Sequence, residues 1–216
     1  VYDGDVYKGV VCLVHDAQAS ENFLKDLERN ERRIHLLTER FLNSSTDPLK
    51  NIDELTDLAG EIFQPTCALY NRLDEGLLCS WGQWNTPPDY QPVDEPEGHI
   101  CYDVITRSGE EPYVIHDLQN SEYFDSDPNV KKYNLETYIG KGAKLGNDYI
   151  GSLCIVFQER FEPTREDLDF LSIIASAIGQ EEARLKVLND LEASKEKYFD
   201  FMERLTESCF VVDDSL

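Results

Sequence analysis

The chain has 216 residues, enough for one well-filled core with segments left over. Its 41% hydrophobic and 11% aromatic content argues for a globular protein and against general disorder. With 20 basic against 43 acidic residues, the net charge of −23 repels phosphate backbones and anionic headgroups, so no direct contact with nucleic acid or a membrane surface is expected, and solubility is the plainest use of the acidity.

No window reaches the ~18 apolar residues of a membrane span. The start, Val1-Tyr2-Asp3-Gly4-Asp5, lacks the basic and apolar regions of a signal peptide, and a cytoplasmic setting is expected. The cysteines Cys12, Cys67, Cys79, Cys101, Cys154 and Cys209 contain no Cys-x-x-Cys pair, and five of the six lie in apolar strand-like runs. Buried reduced thiols explain them better than a disulfide framework.

Residues 1–16 read as a hairpin turn at Asp3-Gly4 and a strand from Tyr7 to His15. A lone hairpin is marginal, so this piece reads as the end of a domain. A helix over about 17–42 carries Phe23, Leu27, Asn30, Ile34, Leu37 and Phe41 at spacings of 4, 3, 4, 3 and 4, the seam of a coiled coil with a register-fixing Asn. The alternative is a helix packed on its own domain with Asn30 at the wet edge. The turn-forming run Asn43 to Pro48 breaks it, and Ile52, Leu55, Leu58, Ala59 and Ile62 give a second helix an apolar face for a sheet.

Strands are expected at Thr66–Asn71 and Leu77–Trp84, joined by Asp74-Glu75-Gly76. The segment Asn85–Glu97, with Pro87, Pro88, Pro92 and Pro96, reads as a surface loop. A short helix over Gly98–Ser108, a strand at Tyr113–His116, helical turns over Gln119–Asn134, and strands at Leu135–Leu145 and Tyr149–Phe157 follow. The last strand has too little alternation for a half-wet edge and reads as a central one covered on both faces. Thr164 caps the next helix, with Asp167 in the capping-box position. That helix is expected to reach about Glu207. Its first apolar series is Leu171, Ile174, Ile178, Leu185 and Leu188, with Glu181 at one seam position; its second is Val187, Leu191, Ser194, Tyr198, Phe201 and Leu205, and the registers break near Leu188.

The fold class is therefore α+β: a central antiparallel sheet of five or six strands, helices packed on one face, and long N- and C-terminal helices. Gly98-His99-Ile100-Cys101, Tyr113 to Leu118, and the strand, Phe161, Pro163-Thr164 and Leu-x-x-Leu helix beyond resemble, in order and spacing, GAF domains, the small-molecule-binding modules of bacterial signalling proteins and phosphodiesterases. Residues 1–16 and 208–216 resemble the last and first strands of PAS domains. The resemblance implies a PAS-like end (1–16), a linker helix (17–47), a GAF domain (48–186), a coiled-coil linker (187–207) and the start of another PAS-like domain (208–216). It also implies a homodimer through helices 20–42 and 168–206 and an output domain elsewhere in the full-length protein.

No catalytic or metal site is expected. His15, His35, His99 and His116 lack zinc-site spacing, and Gly140-Lys141-Gly142-Ala143-Lys144 opens no helix that could hold a phosphate. Against the family's cyclic-nucleotide signature, Phe161 matches, but Gln158-Glu159 stands for Asn-Lys and Arg165-Glu166 for Asp-Glu. Cys101 resembles a cysteine of the free methionine sulfoxide reductases, yet the sequence shows no resolving partner. It is followed by Tyr102 where bilin-binding members have His. The resemblance instead implies a noncovalent pocket built from Trp81, Trp84, Cys101, Tyr102, Tyr133 and Tyr138 for an unidentified small molecule. The alternatives are a ligand-free dimerisation scaffold, in which these aromatics only fill the core, and a Cys101-based redox enzyme.

Overall fold

Residues 4–107 and 109–209 are described by a computed structural model, with side-chain surroundings for 19–107 and 109–204. Residues 1–44 and 45–216 form two compact units. The first is a single helix, α1 (Gly4–Leu42), which leaves Phe23, Leu27, Ile34 and Phe41 exposed. The expected strand over Tyr7–His15 is helical instead. Val6, Val10, Leu13 and Ala17 fall at spacings of 4, 3 and 4, which suit a helix as well as the β-branched content suits a strand, and a hairpin with no further strand to pair has little to hold it.

The second unit begins at α2 (Pro48–Phe63). Asp47 caps it by accepting hydrogen bonds from the amides of Leu49 and Lys50, with Pro48 at the first helical position where no amide hydrogen is missed. β1 (Cys67–Asp74) and β2 (Leu77–Trp84) are joined by Glu75 and Gly76, both at positive φ, the two-residue hairpin turn that matches strand twist. The proline-rich loop then contributes a two-residue edge strand, β3 (Val93–Asp94), which pairs with β2 where only a loop is expected from the sequence. After α3 (Ile100–Arg107) come β4 (Tyr113–Ile115), a 3₁₀ turn (Leu118–Asn120), and the short helices α4 (Tyr123–Ser126) and α5 (Pro128–Lys132). β5 (Thr137–Leu145), β6 (Asp148–Phe157) and α6 (Arg165–Cys209) complete the described chain.

The six strands form one antiparallel sheet in the order β3-β2-β1-β6-β5-β4. β6 is central and buried from Gly151 to Phe157, as its unbroken apolar run requires. The helices α2 and α6 pack together on one face, and α3 lies against β5 and β6 on the other. At the start of α6 the Asp167 amide donates to Thr164 Oγ1 at 3.2 Å while Asp167 Oδ2 accepts from the Thr164 amide at 2.8 Å, so the capping box closes in both directions.

Leu171, Ile174 and Ile178 are fully buried within the unit. Beyond Glu182 the burial stops, and Val187, Leu188, Leu191, Tyr198 and Phe201 are exposed. The first apolar series is thus spent on the domain's own core as far as Ile178, and the register break near Leu188 falls just after the helix leaves that core. The buried acid of this turn is Glu182, while the neighbouring Glu181 pairs with Arg184. The expected start of a further strand after Cys209 lies outside the described residues. Among the described residues, no helix is long and apolar enough to cross a membrane.

Candidate ligand pocket

Strand alternation decides which side chains meet over the sheet. On β1, Cys67, Leu69 and Asn71 point to the α3 side while Tyr70 and Arg72 point to the α6 side; on β6, Cys154 and Val156 share the α3 side. Leu78 and Ser80 of β2 join them, Ser80 by donating to Asn71 Oδ1. A bulge at Trp81 then shifts the register, since Tyr70 pairs with Gly82 and Asn71 with Ser80. The extra residue swaps the faces, and Gly82 and Trp84 turn towards α2.

These residues floor a cavity of ≈ 80 Å³. The walls come from His99, Ile100 and Cys101 at the start of α3, from Pro87, Tyr90, Gln91 and Asp94 of the proline-rich loop, and from Asp127, Asn129, Tyr133 and Leu135 of the covering segment. Gly98 makes the entry to α3 possible: its φ of +91° suits glycine, and a side chain there would come within 2.6 Å of the Ser126 carbonyl. The volume lies below the ~300–1,000 Å³ of ordinary ligand clefts. A bilin or a nucleotide does not fit this form of the pocket, whereas a molecule of a few heavy atoms does.

The deepest part is a cluster of thiols and hydrogen-bond donors. The Cys101 and Cys154 sulfurs share a hydrogen bond at 3.6 Å, and Cys101 Sγ accepts from Tyr138 OH at 3.4 Å and from Asn71 Nδ2 at 3.1 Å. Asn71 Nδ2 also approaches Cys154 Sγ at 3.9 Å, and its carbonyl is fixed by Ser80, which in turn meets Tyr90 OH at 2.6 Å. The hydrogen bond with Cys154, with help from Tyr138 and Asn71, outweighs burial and holds the Cys101 thiol below its ordinary range, while the same bond, together with burial, holds Cys154 well above. Burial pushes Cys67, also in the lining, up to about 12.

His99 bridges two carboxylates, with Nδ1 3.4 Å from Asp127 Oδ1 and Nε2 3.3 Å from Asp94 Oδ2. Burial alone would lower its pKa, but the bond and charge of Asp127, with Asp94, raise it to about 9, so the imidazole is cationic at neutral pH. Asp127 also accepts from the Ile100 and Asn129 amides, at 3.2 and 3.0 Å, so one carboxylate organises α3, α5 and His99 together. Among the described residues, no lysine or arginine lines the cavity. With its one cation already matched by two acids, the pocket suits a neutral or weakly polar guest better than a phosphate.

The opposite face of β1 carries a second polar cluster. Tyr70 OH donates to Glu182 Oε1 at 2.8 Å, and Arg72 Nη1 meets Glu182 Oε2 at 2.6 Å while its guanidinium lies 4.3 Å from the centre of the Trp81 ring. Three consecutive residues of one strand therefore touch the thiols above the sheet and the exit helix below it.

Of the residues expected from the sequence to form the pocket, Cys101, Tyr133 and Tyr138 line the cavity, whereas Trp81, Trp84 and Tyr102 do not. Trp84 covers Gly60 of α2, where an added methyl would meet its ring at 2.1 Å; Trp81 stacks under Arg72; Tyr102, one position round α3 from Cys101, is half-buried outside the lining. Asn71, Tyr90, His99, Asp127 and Cys154 belong to the site and were not among the expected residues. The sequence did carry signals for two of them, since His99 directly precedes the pocket helix and Asp127-Pro128 is a helix-start pair. A second thiol beside Cys101, which the sequence does not show, is present in space as Cys154.

Comparison with known proteins gives one family. A family model described as GAF domain matches residues 47–181. No curated protein matches the chain. Among solved structures, the GAF domain of a phosphoenolpyruvate-protein phosphotransferase from Coxiella burnetii is 13% identical, with a TM-score of 0.62 over 76% of this chain and 98% of that one. The corresponding domain from Acinetobacter is also 13% identical, with a TM-score of 0.60 over 75% and 95%. The free methionine-R-sulfoxide reductase from Neisseria meningitidis, in complex with its substrate, is 14% identical, with a TM-score of 0.59 over 74% and 91%. At such identities the likeness is one of fold.

Proposed function

The chain belongs to the GAF family, and we propose that it is a non-catalytic sensory module of a larger, cytoplasmic, bacterial signalling protein. In this reading the cavity takes a small, uncharged or weakly polar molecule, and its occupancy is passed through β1 to α6 and on to an output domain. The supporting observation is the placement of Asn71 between Tyr70 and Arg72: the first contacts the pocket thiols, the other two hold Glu182 of the exit helix. A guest that displaces Asn71 therefore pulls on the backbone that positions α6. PAS-like neighbours at 1–16 and 208–216 fit such a module as flanking domains, with 17–47 and 187–207 as linkers.

Signal transfer along helices needs a partner helix, and a second copy of the chain fits. Phe23, Leu27, Ile34 and Phe41 of α1 and Val187, Leu191, Tyr198 and Phe201 of α6 are exposed at coiled-coil spacings. Dimerisation through 20–42 and the part of 168–206 that lies beyond the domain core would cover them. The test is a thermal-shift screen of small metabolites on the full chain, repeated with Asn71→Ala and Tyr138→Phe. A hit that raises the midpoint of the wild type and is lost in Asn71→Ala supports sensing. A reproducible dimer with no hit in the screen supports the scaffold reading, which the exposed helix faces favour.

A further inference from the structure

The pocket contains a pair of thiols placed for chemistry with each other. Cys101 sits on α3 and Cys154 on the central strand, 53 positions apart, yet their sulfurs are 3.6 Å from one another and both line the cavity. A disulfide needs a sulfur separation of about 2.05 Å, so the two sulfurs have to approach by about 1.5 Å to form one. Cys101 Sγ receives two donors, from Tyr138 OH and Asn71 Nδ2, which favours the thiolate as the attacking form. Cys154 keeps its proton and is held against the sulfur it would join. Cys79 lies outside the cavity lining and serves as an internal control.

We propose that Cys101 and Cys154 form a reversible disulfide within the pocket, written by hydrogen peroxide that enters the cavity and erased by a dithiol reductant. In the first step the Cys101 thiolate attacks one peroxide oxygen: an S–O bond forms, the O–O bond breaks, and the leaving hydroxide takes a proton to become water. Cys101 is then a sulfenic acid. Cys154 attacks that sulfur; the S–S bond forms, the S–O bond breaks, and the departing oxygen leaves as water with the Cys154 proton. Two thiols have lost two electrons and the peroxide has gained them. Thiol–disulfide exchange with the reductant returns both electrons.

The disulfide fastens α3 to the central strand and replaces the thiolate that accepts from Asn71 with a weaker acceptor, so it acts on the same strand as a bound guest. It rests on the pocket being a sensory site, but it needs no ligand for its formation.

The experiment treats the full chain with hydrogen peroxide, denatures and alkylates it, and maps linked peptides by mass spectrometry. A peptide joining Cys101 to Cys154 is expected, abolished by dithiothreitol. Cys154→Ser is expected to lose it and to leave Cys101 labelled by a sulfenic-acid probe; Cys101→Ser is expected to leave Cys154 unoxidised. Cys101→Ala and Cys154→Ala serve if a serine variant loses its fold by circular dichroism. Free alkylated Cys101 and Cys154 alongside oxidised Cys79 would overturn the proposal. A ligand hit in the thermal-shift screen of reduced protein together with that result sinks only the disulfide; linkage without any hit leaves the disulfide and sinks small-molecule binding.

Discussion

Glu182 is the joint on which coupling of sheet to exit helix depends, and its removal has a calculable result. The residue is 2% exposed and accepts from Tyr70 OH and Arg72 Nη1. Glu182→Ala leaves the hydroxyl of a fully buried tyrosine without an acceptor and a guanidinium, about three-quarters covered, without its counter-ion. Orphaning a buried hydroxyl costs ~1–3 kcal/mol and breaking a buried ion pair ~3–5 kcal/mol, and the partly wet Arg72 brings the total to about 3 kcal/mol. For a domain of this size that lowers the thermal midpoint by about 6–12 °C.

Glu182→Gln behaves differently. Burial raises the Glu182 pKa, against the opposing effects of Tyr70 and Arg72, so its ionised form is disfavoured where it sits. Glutamine keeps an acceptor for Tyr70 and removes the buried charge, and the expected cost is about 1 kcal/mol or less. Because the folded pKa is raised, the contribution of Glu182 is fully present below pH 4.5 and is lost as pH rises through its folded value. The glutamine variant lacks this dependence. Thermal and urea unfolding followed by circular dichroism measure both. Equal losses in the two variants, or an alanine variant within ~0.5 kcal/mol of wild type, would refute the reasoning, since the latter is the range of an unremarkable surface change.

His99 predicts a pH effect of the same sign in another range. Its pKa is raised from 6.5 to about 9, so its ion pairs with Asp127 and Asp94 stabilise fully below pH 6.5 and are lost as pH rises through 9; the loss is about 2 kcal/mol after allowance for solvent screening and is absent in His99→Gln, as unfolding at pH 6 and 9.5 will show. Gly60→Ala places a methyl against the rigid Trp84 indole and should destabilise by ~1–3 kcal/mol in urea unfolding, with the pocket's ligand response unchanged. Leu191→Glu with Phe201→Glu puts charge on the exposed seam of α6 and should convert a dimer to a monomer in multi-angle light scattering while leaving the midpoint of the domain in place.

The sheet and the helices that build the pocket were legible because their signals are local: the turn-forming run Asn43 to Pro48 separates two helices, Thr164 with Asp167 marks a helix start, Glu75-Gly76 marks a hairpin, and the apolar run of β6 marks a central strand. The site was less legible because its membership turns on strand parity. Trp84 shares the parity of Leu78 and Ser80, and only the bulge at Trp81, which leaves no sequence mark, sends it to the other face. Cys154 was hidden for the complementary reason. In a strand buried on both sides, alternation does not show which residues face the cavity, and a sequence separation of 53 residues from Cys101 gives no hint of contact. The N-terminal strand failed on periodicity, since Val6, Val10, Leu13 and Ala17 suit either structure until a pairing partner decides.

The claim that the cavity is a working small-molecule site is tested most directly by native mass spectrometry of the freshly purified chain, alongside Leu69→Phe, whose larger side chain fills the cavity floor. The wild type is expected to carry a small additional mass, or to acquire one from a metabolite mixture, and Leu69→Phe is expected not to while unfolding cooperatively. A wild type that remains bare in every mixture, or a variant that retains the same mass, would contradict it.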